Sequence, residues 1–358
     1  MKKLKLGILK NEVKQDHLFW LKACQELHER VDWEVIELTH SDWLERVTRK
    51  SFDGFLASPS GYTTLFKKLY DERIGILDST LRIPLYPSAE EILIYENKKY
   101  LSYWLAANQV PHPKTWVFYY EEEALEFARN AMLPLVGKMS VGGAGSGVHI
   151  LRTRNEALEY IGNIFSGKGI TLRVGPQWRK KGFAGRVFKK LLHPQDFFAK
   201  LDLYKHLGSE VQKDFAILQE YIPHSFEWRC VRIGNSFFAH KKIKKGDKAS
   251  GSLIKGYENP PVRLLDFVKD ITDRRQFLSQ SIDIFEDSDG NYLVNEMQCI
   301  FGQSDPYQML VDGKPGRYRR INGKWTFEAG DFNRIESFLL RLEHFIQILN
   351  ENRLEIQL

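Results

Sequence analysis

The segment whose residue types point most directly to chemistry is an apolar run of β type that ends in Lys138 and continues into a glycine-rich loop at 142–147. Bare backbone N–H groups in such a loop can crowd around phosphate oxygens, and the lysine adds a positive charge. The lysine precedes the glycines, so the order differs from that of a Gly-x-x-x-x-Gly-Lys-Ser/Thr phosphate loop. The loop returns into a predicted strand at 148–151, which does not fit the helix of a dinucleotide fingerprint. The pattern predicts a hairpin lid over phosphates, and the alternative is a glycine-rich hairpin that binds nothing.

Three side-chain oxygen donors lie on a second predicted hairpin, with strands at 281–285 and 292–298. Alternation places Asp283 on one face of its strand, and Glu296 with Gln298 on one face of the next, so their oxygens can converge. Carboxylates and an amide without a His or Cys partner suit Mg²⁺, which prefers oxygen ligands, keeps waters and bridges substrate phosphates. The alternative is the solvated acidic face of a hairpin.

Between these two features, a short apolar run at 217–222 carries Gln219 and Glu220 near its end. The order of lysine, glycine loop, glutamate and paired carboxylates resembles the ATP-grasp superfamily over roughly residues 95 to 305. More narrowly, the chain resembles the carboxylate–amine ligases related to D-alanine ligases, ribosomal-protein glutamate ligases and cell-surface glycan-modifying ligases. The resemblance implies an α/β (α+β) ATP-grasp fold that follows a small parallel α/β domain. It also implies amide-bond formation through an acylphosphate, with release of ADP and phosphate.

The resemblance assigns a role to each matching residue. Lys98, which follows Asn97 at the start of a helix, and Lys138 would contact the α and β phosphates of ATP, with Mg²⁺ or Mn²⁺ as the metal. Glu220 and its neighbours would bind adenine, and Glu227 would bind the ribose. The implied cofactor-binding residues are Lys98, Lys138, Gly142, Gly143, Gly145, Ser146, Gln219, Glu220, Tyr221, Ile222 and Glu227. The implied metal ligands are Asp283, Glu296 and Gln298, and the implied catalytic residues are Arg229, Lys241, Lys242 and Lys248.

Two positions depart from the family pattern. Gln298 stands where the family usually has asparagine, and it offers the same amide oxygen on a longer arm. Lys241 and Lys242 stand where many relatives carry an arginine, and a lysine supplies the charge without the bidentate fork. Arg229 is the candidate for holding the acceptor carboxylate or a phosphate oxygen, and its alternative role is an ion pair with a neighbouring acid.

Two other functions would use the same nucleotide site. An ATP-grasp kinase would transfer phosphate to a hydroxyl and stop there, and a nucleotide-binding module would not catalyse. For the ligase, the expected carboxylate belongs to an amino acid, a peptide or an acidic glycan, and an amine is the second substrate. Dependence of turnover on an amine, and phosphate released as the free ion, distinguish the ligase from the other two.

The composition sets only broad limits. The 52 lysines and arginines against 46 aspartates and glutamates give a net charge of +6, which argues against a protein driven mainly by nucleic acid. Cys24, Cys230 and Cys299 lack metal or redox spacing and fit a reducing cytoplasm. The N-terminus begins like a signal peptide, but its apolar run at 6–9 is short, and no run of about twenty apolar residues follows. We expect a cytoplasmic protein, or one peripheral to the inner membrane face, and the oligomeric state is open, with a homodimer among the options.

Periodicity divides the chain into three expected parts, at 1–88, 89–222 and 223–358. The first part alternates strands with helices, which is typical of a small parallel α/β unit. Its predicted strands are at 4–9, 33–38, 54–57 and 74–77. The second part begins with one predicted helix at 89–108, and the third ends with a core-packing helix at 331–352.

An insertion at 167–203 has no obvious place in the minimal fold. Between Arg173 and Lys190, it interleaves basic side chains with aromatic and aliphatic ones. A solvated helix with one buried face explains this pattern. So does a basic, aromatic patch that contacts an anionic glycan, an acidic peptide or a membrane surface. Nucleic acid is disfavoured as the partner because no recognition motif accompanies the patch.

Overall fold

The computed structural model describes residues 3–142, 147–172, 210–245 and 248–357, except for the side chains of 245, 248–253 and 353–357. The chain folds into two compact units. The first unit comprises Met1–Ser60, Lys68–Pro113 and Ile222–Leu358, and the second comprises Gly61–Lys67 and Lys114–Tyr221. The three-part division drawn from the sequence stays a prediction.

The described residues form strands and helices that we number in chain order. The strands are β1 (Leu4–Lys10), β2 (Val31–Glu37), β3 (Gly54–Ala57), β4 (Leu85–Tyr86), β5 (Thr115–Phe118), β6 (Leu135–Lys138), β7 (Val148–Leu151), β8 (Ile170–Thr171), β9 (Val211–Gln212), β10 (Ala216–Glu220), β11 (Phe226–Ile233), β12 (Ser236–Lys245), β13 (Lys248–Gly256), β14 (Ser279–Glu286), β15 (Tyr292–Gln298), β16 (Leu310–Val311), β17 (Lys314–Ile321) and β18 (Lys324–Ala329). The helices are α1 (Leu18–Glu26), α2 (Trp43–Arg49), α3 (Thr64–Gly75), α4 (Ala89–Ile94), α5 (Lys98–Ala107), α6 (Glu121–Asn130), α7 (Arg154–Phe165), α8 (Val262–Arg274) and α9 (Phe338–Gln357).

Four parallel strands in the order β2-β1-β3-β4 form one sheet of the first unit. Strand β1 is buried at four consecutive positions, 6–9, as expected for a parallel strand that is covered on both faces. Leu342 and Phe345 of α9 belong to the same core as Leu6 and Ile8 of β1. The strands predicted at 4–9, 33–38 and 54–57 are confirmed as β1, β2 and β3.

The strand predicted at 74–77 is wrong. These residues end helix α3 and continue into a π-helical turn at Ile76–Thr80, and the fourth strand of the sheet is β4. Ile74 and Leu77 are both fully buried. A short apolar run has the same pattern in a strand as in a buried helical turn, so periodicity does not distinguish the two.

The single helix predicted at 89–108 is two helices, α4 and α5. Helix α4 begins with a capping box, in which Ser88 and Glu91 each accept a backbone N–H from the other end of the box. The two helices are separated at Glu96, whose φ is 47°. Asn97 then caps α5 by accepting the backbone N–H of Tyr100 at 3.2 Å. The break puts Glu96 directly before the first turn of α5.

The second sheet of the first unit has eight strands in the order β15-β14-β11-β12-β17-β16, with β13 paired to β12 and β18 to β17. Strands β11, β12, β14 and β15 pair antiparallel, and the predicted β14–β15 hairpin is confirmed. Trp228, Ile282 and Ile284 form one core with Leu264 and Val268 of α8. Because side chains alternate along a strand, the positions between these apolar residues lie on the opposite face of the sheet.

The second unit contains a four-stranded antiparallel sheet in the order β5-β10-β6-β7 and a β8–β9 pair. Its core includes Ala128 of α6, Ile161 of α7 and Leu218 of β10. The predicted hairpin around the glycine-rich loop is confirmed as β6 and β7. Gly137 allows a close approach within this unit, since a Cβ there would lie 2.4 Å from the ring of Tyr160.

The chain closes with α9, which the sequence predicted at 331–352. Phe338, Leu342 and Phe345 of this helix are buried, as expected for a core-packing helix. Among the residues that the structure describes, no helix is both long and apolar enough to cross a membrane.

Candidate active site

A row of polar side chains crosses the antiparallel sheet of the first unit. His240 on β12 pairs in register with Arg229 on β11, Arg229 pairs with Asp283 on β14, and Asp283 pairs with Glu296 on β15. Residues directly opposite each other on neighbouring strands share one face. The four side chains therefore form a continuous line on the face opposite to α8.

Asp283 is the centre of a buried network of four charges and is only 2% exposed. Arg229 donates to it from Nε and from a terminal nitrogen, each at 2.9 Å, and Lys242 donates from Nζ at 2.6 Å. Lys242 also donates to Glu227 Oε2 at 2.6 Å. Burial opposes ionisation of Asp283, but Arg229 and then Lys242 outweigh it and hold the pKa of this carboxyl well below its ordinary value.

A second charged group lies beside this network and contains Glu96, which the sequence did not suggest as a site residue. Lys98 Nζ lies 3.4 Å from Glu96 Oε2 and 3.9 Å from Glu296 Oε1. Gln298 Nε2 donates to Glu96 Oε1 at 2.9 Å and to Glu296 Oε1 at 3.1 Å. Burial raises the pKa of Glu96 despite the nearby Lys98.

The predicted metal ligands Asp283, Glu296 and Gln298 lie on two neighbouring strands, as the hairpin pattern required. Their donor atoms are carboxylate and amide oxygens, and this chemistry suits a hard cation such as Mg²⁺. Within the described ranges, no three acidic, histidine or cysteine side chains are grouped closely enough to hold a metal by themselves. A magnesium ion generally uses one or two carboxylates together with substrate phosphates, so the donor set fits the ion.

The two candidate lysines on β12 point to opposite faces of the sheet. Lys242 is 4% exposed and belongs to the buried charge network. Lys241 Nζ lies 4.2 Å from the ring centroid of Phe226 and 5.1 Å from that of Trp228, and it pairs with Glu258. The sequence left the two lysines as alternatives, and only Lys242 is on the face that carries Arg229. The side chain of Lys248 lies outside the described residues.

The row continues from His240 into a polar cluster that includes the segment after β15. His240 Nδ1 lies 2.9 Å from the carbonyl oxygen of Gln308, and burial, with Arg229 and Lys255 nearby, lowers the pKa of His240 to about 3. Asp305 accepts from Lys255 Nζ at 2.7 Å and from the Tyr257 hydroxyl at 2.6 Å. Sequence reasoning missed this cluster because its members are scattered and match no motif.

The second unit holds most of the predicted nucleotide residues. Lys138 ends β6 opposite Ile217 and is 8% exposed, and Met139 N–H donates to the Gly147 carbonyl at 2.9 Å across the base of the loop. Gly142 has a φ of 122°, which favours glycine. Gly143, Gly145 and Ser146 lie outside the described residues, as does the basic segment from Arg173 to Lys190.

Strand β10 carries the residues predicted to bind adenine. Gln219 Nε2 donates to Thr115 Oγ1 at 2.9 Å. Glu220 pairs with Lys114 through two hydrogen bonds: its backbone N–H donates to the Lys114 carbonyl at 2.9 Å, and its carboxylate accepts the Lys114 N–H at 2.7 Å. The Glu220 carboxylate therefore fixes the end of the strand. Tyr221 follows in the second unit, and Ile222 begins the last segment of the first.

Solved structures with the same architecture have the ATP-grasp fold. The D-alanine–D-alanine ligase from Bacillus anthracis matches with a TM-score of 0.53 and 15% identity, over 98% of this chain and 99% of that chain. An N5-carboxyaminoimidazole ribonucleotide synthetase from Thermotoga maritima matches with a TM-score of 0.53 and 12% identity, over 96% and 76%. An ADP complex of another such synthetase matches with a TM-score of 0.55 and 12% identity, over 88% and 76%.

No protein-family model matches the sequence, and no curated protein is similar to it in sequence. At sequence identities of 12 to 15%, the structural similarity establishes the fold and leaves the chemistry open. The chain is a mixed α/β protein with the ATP-grasp fold, as the resemblance implied.

Proposed function

We propose that this protein is an ATP-dependent carboxylate–amine ligase. A substrate carboxylate would attack the γ-phosphate of ATP to give ADP and an acylphosphate, and an amine would then displace phosphate to form an amide. The observation that carries the proposal is the row of Arg229, Asp283 and Glu296 across the sheet, with Lys242 and Lys98 beside it. Such fixed charges stabilise a transferring phosphoryl group without covalent chemistry.

The proposed nucleotide site uses the residues that the sequence suggested. Lys98, Lys138 and Lys242 would neutralise phosphate charge, and Glu227 would bind the ribose. The backbone of the segment at 219–222 would bind adenine. Glu296 and its neighbouring oxygen ligands would hold Mg²⁺ together with the nucleotide. The bound ion would neutralise further phosphate charge. The glycine-rich loop that begins at Gly142 would close over the phosphates and exclude water from the acylphosphate.

For the acceptor carboxylate, the polar cluster beside His240 is the best-supported location. Arg229 and Lys255 are both close enough to His240 to lower its pKa. Arg229 pairs with Asp283 and Lys255 pairs with Asp305, and a substrate carboxylate would share these two cations with those acids. We therefore propose an amino acid, a peptide or an acidic glycan as the carboxylate substrate. The predicted cytoplasmic location fits an ATP-dependent reaction.

The test is release of ADP and free phosphate from Mg-ATP, measured with pooled amino acids, short peptides and uronic acids, each with and without pooled amines. We expect both products to depend on a carboxylate and to increase with an amine, and Glu296→Gln to abolish the release. Glu37→Gln is a matched control, because Glu37 pairs with Lys10 on the parallel sheet of the same unit. ADP without free phosphate would indicate a kinase and contradict the ligase.

A further inference from the structure

Lys255 lies on the face of the antiparallel sheet that carries Arg229, which we call the charged face. It is directly opposite Lys242 in the pairing of β13 with β12, and Lys242 is directly opposite Glu227 on β11. Residues that are directly opposite each other on neighbouring strands share one face. Lys255 therefore extends the charged face onto β13.

The acid that pairs with Lys255 is held differently from the acids that pair with Lys242. Asp283 and Glu227 belong to strands of the sheet, and their side chains are 2% and 8% exposed. Asp305 comes from the segment 299–309, which has neither helix nor strand, and its side chain is 40% exposed. Ion pairs open to solvent contribute less to stability than buried ones. Asp305 can therefore leave Lys255 at a lower cost than Asp283 or Glu227 can leave Lys242.

Lys255 and Tyr257 together form a pocket that fits a carboxylate. The Lys255 ammonium donates to Asp305 Oδ2 at 2.7 Å, and the Tyr257 hydroxyl donates to the same oxygen at 2.6 Å. Burial, and then the neighbouring Asp305, raises the pKa of Tyr257, so the hydroxyl keeps its proton and remains a donor. The pocket adjoins the row of polar side chains, since the rings of Tyr257 and His240 are 5.6 Å apart. Two donors that converge on one oxygen bind a carboxylate through charge-assisted hydrogen bonds, whichever molecule carries it.

The backbone of Asp305 is fixed separately from its side chain. The side-chain amide of Asn333 donates to the carbonyl oxygen of Asp305 at 2.6 Å and to that of Gln303 at 3.0 Å. The side-chain oxygen of Gln303 also accepts from Lys255. Rotation about the Cα–Cβ bond of Asp305 therefore vacates the pocket without moving the chain, while Gln303 still holds Lys255.

Exchange of one carboxylate for another also preserves the local charge. Departure of Asp305 removes the acid partner of Lys255, whose side chain is only 15% exposed. A cation with so little exposure is costly without an acid partner, and an incoming carboxylate supplies one. His240 beside the pocket stays neutral, because its pKa is lowered to about 3, and it adds no charge of its own.

We propose that Lys255 and Tyr257 bind the carboxylate of the substrate, and that Asp305 occupies this pocket until the substrate displaces it. This inference rests on the proposed function for the identity of the carboxylate as that of a ligase substrate. Asp305 is then an internal competitor, which reduces the apparent affinity for every carboxylate by the fraction of time that it fills the pocket. It is a specificity-determining residue, because carboxylates with few other contacts fail to displace it.

Acetate is the probe for the pocket, because it presents a carboxylate and little else. Thermal unfolding of the full chain is followed in increasing sodium acetate and in sodium chloride of equal ionic strength, and the apparent affinity comes from the shift in Tm. We expect Asp305→Ala to bind acetate at least about 10-fold more tightly than wild type, the size expected for hydrogen bonds to charged groups. Adding Lys255→Met to Asp305→Ala should abolish this gain.

Glu258→Ala is the matched control. Glu258 pairs with Lys241 on the opposite face of the sheet, where the lysine lies against Phe226 and Trp228. This variant also removes the acid partner of a lysine on the same sheet. Its acetate affinity should stay within about threefold of wild type.

Turnover gives a second readout, with the carboxylate found in the pooled assay. Asp305→Ala should lower the KM for that carboxylate by about 10-fold, because the competitor is gone. Lys255→Met should raise the same KM by about 10-fold or more. Truncation of a residue with a purely structural role would not improve KM.

Equal acetate affinity in Asp305→Ala and wild type overturns the inference, and so does a gain that persists with Lys255→Met. An unchanged or raised KM in Asp305→Ala overturns it as well and leaves the ligase function intact. If the double variant does not fold, as circular dichroism would show, Lys255→Gln replaces Lys255→Met. Acetate binding that depends on Lys255, without turnover of any carboxylate, would contradict the proposed function and leave the carboxylate pocket standing.

Discussion

The two sheets of the first unit use their side chains in opposite ways. The parallel sheet buries residues 6–9 of β1 one after another, so both of its faces are occupied by packing. On the antiparallel sheet, Trp228 and Ile282 pack with α8, and the residues next to them, Arg229 and Asp283, form the buried charge network. A sheet with one packed face leaves every second residue for chemistry, and a sheet that is packed on both faces leaves none.

The largest loss of stability is expected from substitution of Lys242 on the charged face. Replacement by methionine leaves Glu227 and Asp283 buried with one cation fewer, and removing one partner of a buried ion pair costs about 3–5 kcal/mol. Urea unfolding should give a loss of that size for Lys242→Met. The control is Lys10→Met, which breaks a less buried pair with Glu37 and should cost less than about 1 kcal/mol. Equal losses for the two variants would show that the charged face adds nothing special.

A somewhat smaller loss of stability is expected in the parallel sheet, where a substitution should affect packing and leave metal binding unchanged. Ile8→Ala in the parallel sheet removes a fully buried side chain, and we expect it to lower the free energy of unfolding by about 3 kcal/mol. Because Ile8 is far from any charged group of the site in sequence and lies in a different sheet, Mn²⁺ affinity should be unchanged. Glu296→Gln should do the reverse, with affinity lost and stability kept within about 1 kcal/mol. Calorimetric unfolding and metal titration of both variants would show whether either substitution changes both the free energy of unfolding and the Mn²⁺ affinity.

The third effect is the pH dependence that His240 gives to the charged face. Its folded pKa of about 3 lies below the ordinary value of 6.5, so below pH 6.5 the unfolded chain takes up a proton that the folded chain does not. Stability should therefore fall by about 1.4 kcal/mol per pH unit on this account, or about 2 kcal/mol from pH 6.5 to 5.

His240→Asn should remove this part of the pH dependence and keep a donor for the Gln308 carbonyl. Urea unfolding at several pH values measures the two slopes. His28→Asn, at an exposed position, is the control and should follow the wild-type curve. An unchanged slope in His240→Asn would mean that His240 is not kept neutral in the folded state.

The smallest effect distinguishes the two faces at adjacent residues. Lys241 contacts Phe226 and Trp228 on the packed face, and cation–π contacts of this kind contribute about 0.5–1 kcal/mol. Lys241→Met should therefore cost at most that amount in stability and should leave ADP release within about threefold of wild type. A loss of ADP release well beyond threefold in Lys241→Met would contradict the division of the two faces.

Much of the charged face could be predicted from the sequence, because its positions follow from alternation on a hairpin. The pattern of Asp283, Glu296 and Gln298 required only that two short strands pair, and they do. The order of motifs along the chain was also enough for the fold, since ATP-grasp structures match at 12 to 15% identity.

Other features depended on contacts between distant segments. Glu96 joins the site because one helix ends before Asn97, the cap of α5, and because Gln298 reaches it from β15. The contact with Gln298 has no local signal in the sequence. The helical turn at 74–77 looked like a strand because a run of four apolar residues carries no periodicity. Likewise, the choice between Lys241 and Lys242 required the strand register, which one residue of slip would reverse.

The most direct test of the ligase mechanism traces the carboxylate oxygen into the released phosphate. Once a carboxylate substrate has been found in the pooled assay, it is labelled with ¹⁸O in its carboxyl group and incubated with the enzyme, Mg-ATP and the amine. Attack on the γ-phosphate places a carboxylate oxygen between carbon and phosphorus, and the amine then releases that oxygen with the phosphate. We expect one ¹⁸O atom in each phosphate released, as measured by mass spectrometry. Unlabelled phosphate would show that water attacks ATP instead and would contradict the ligase mechanism.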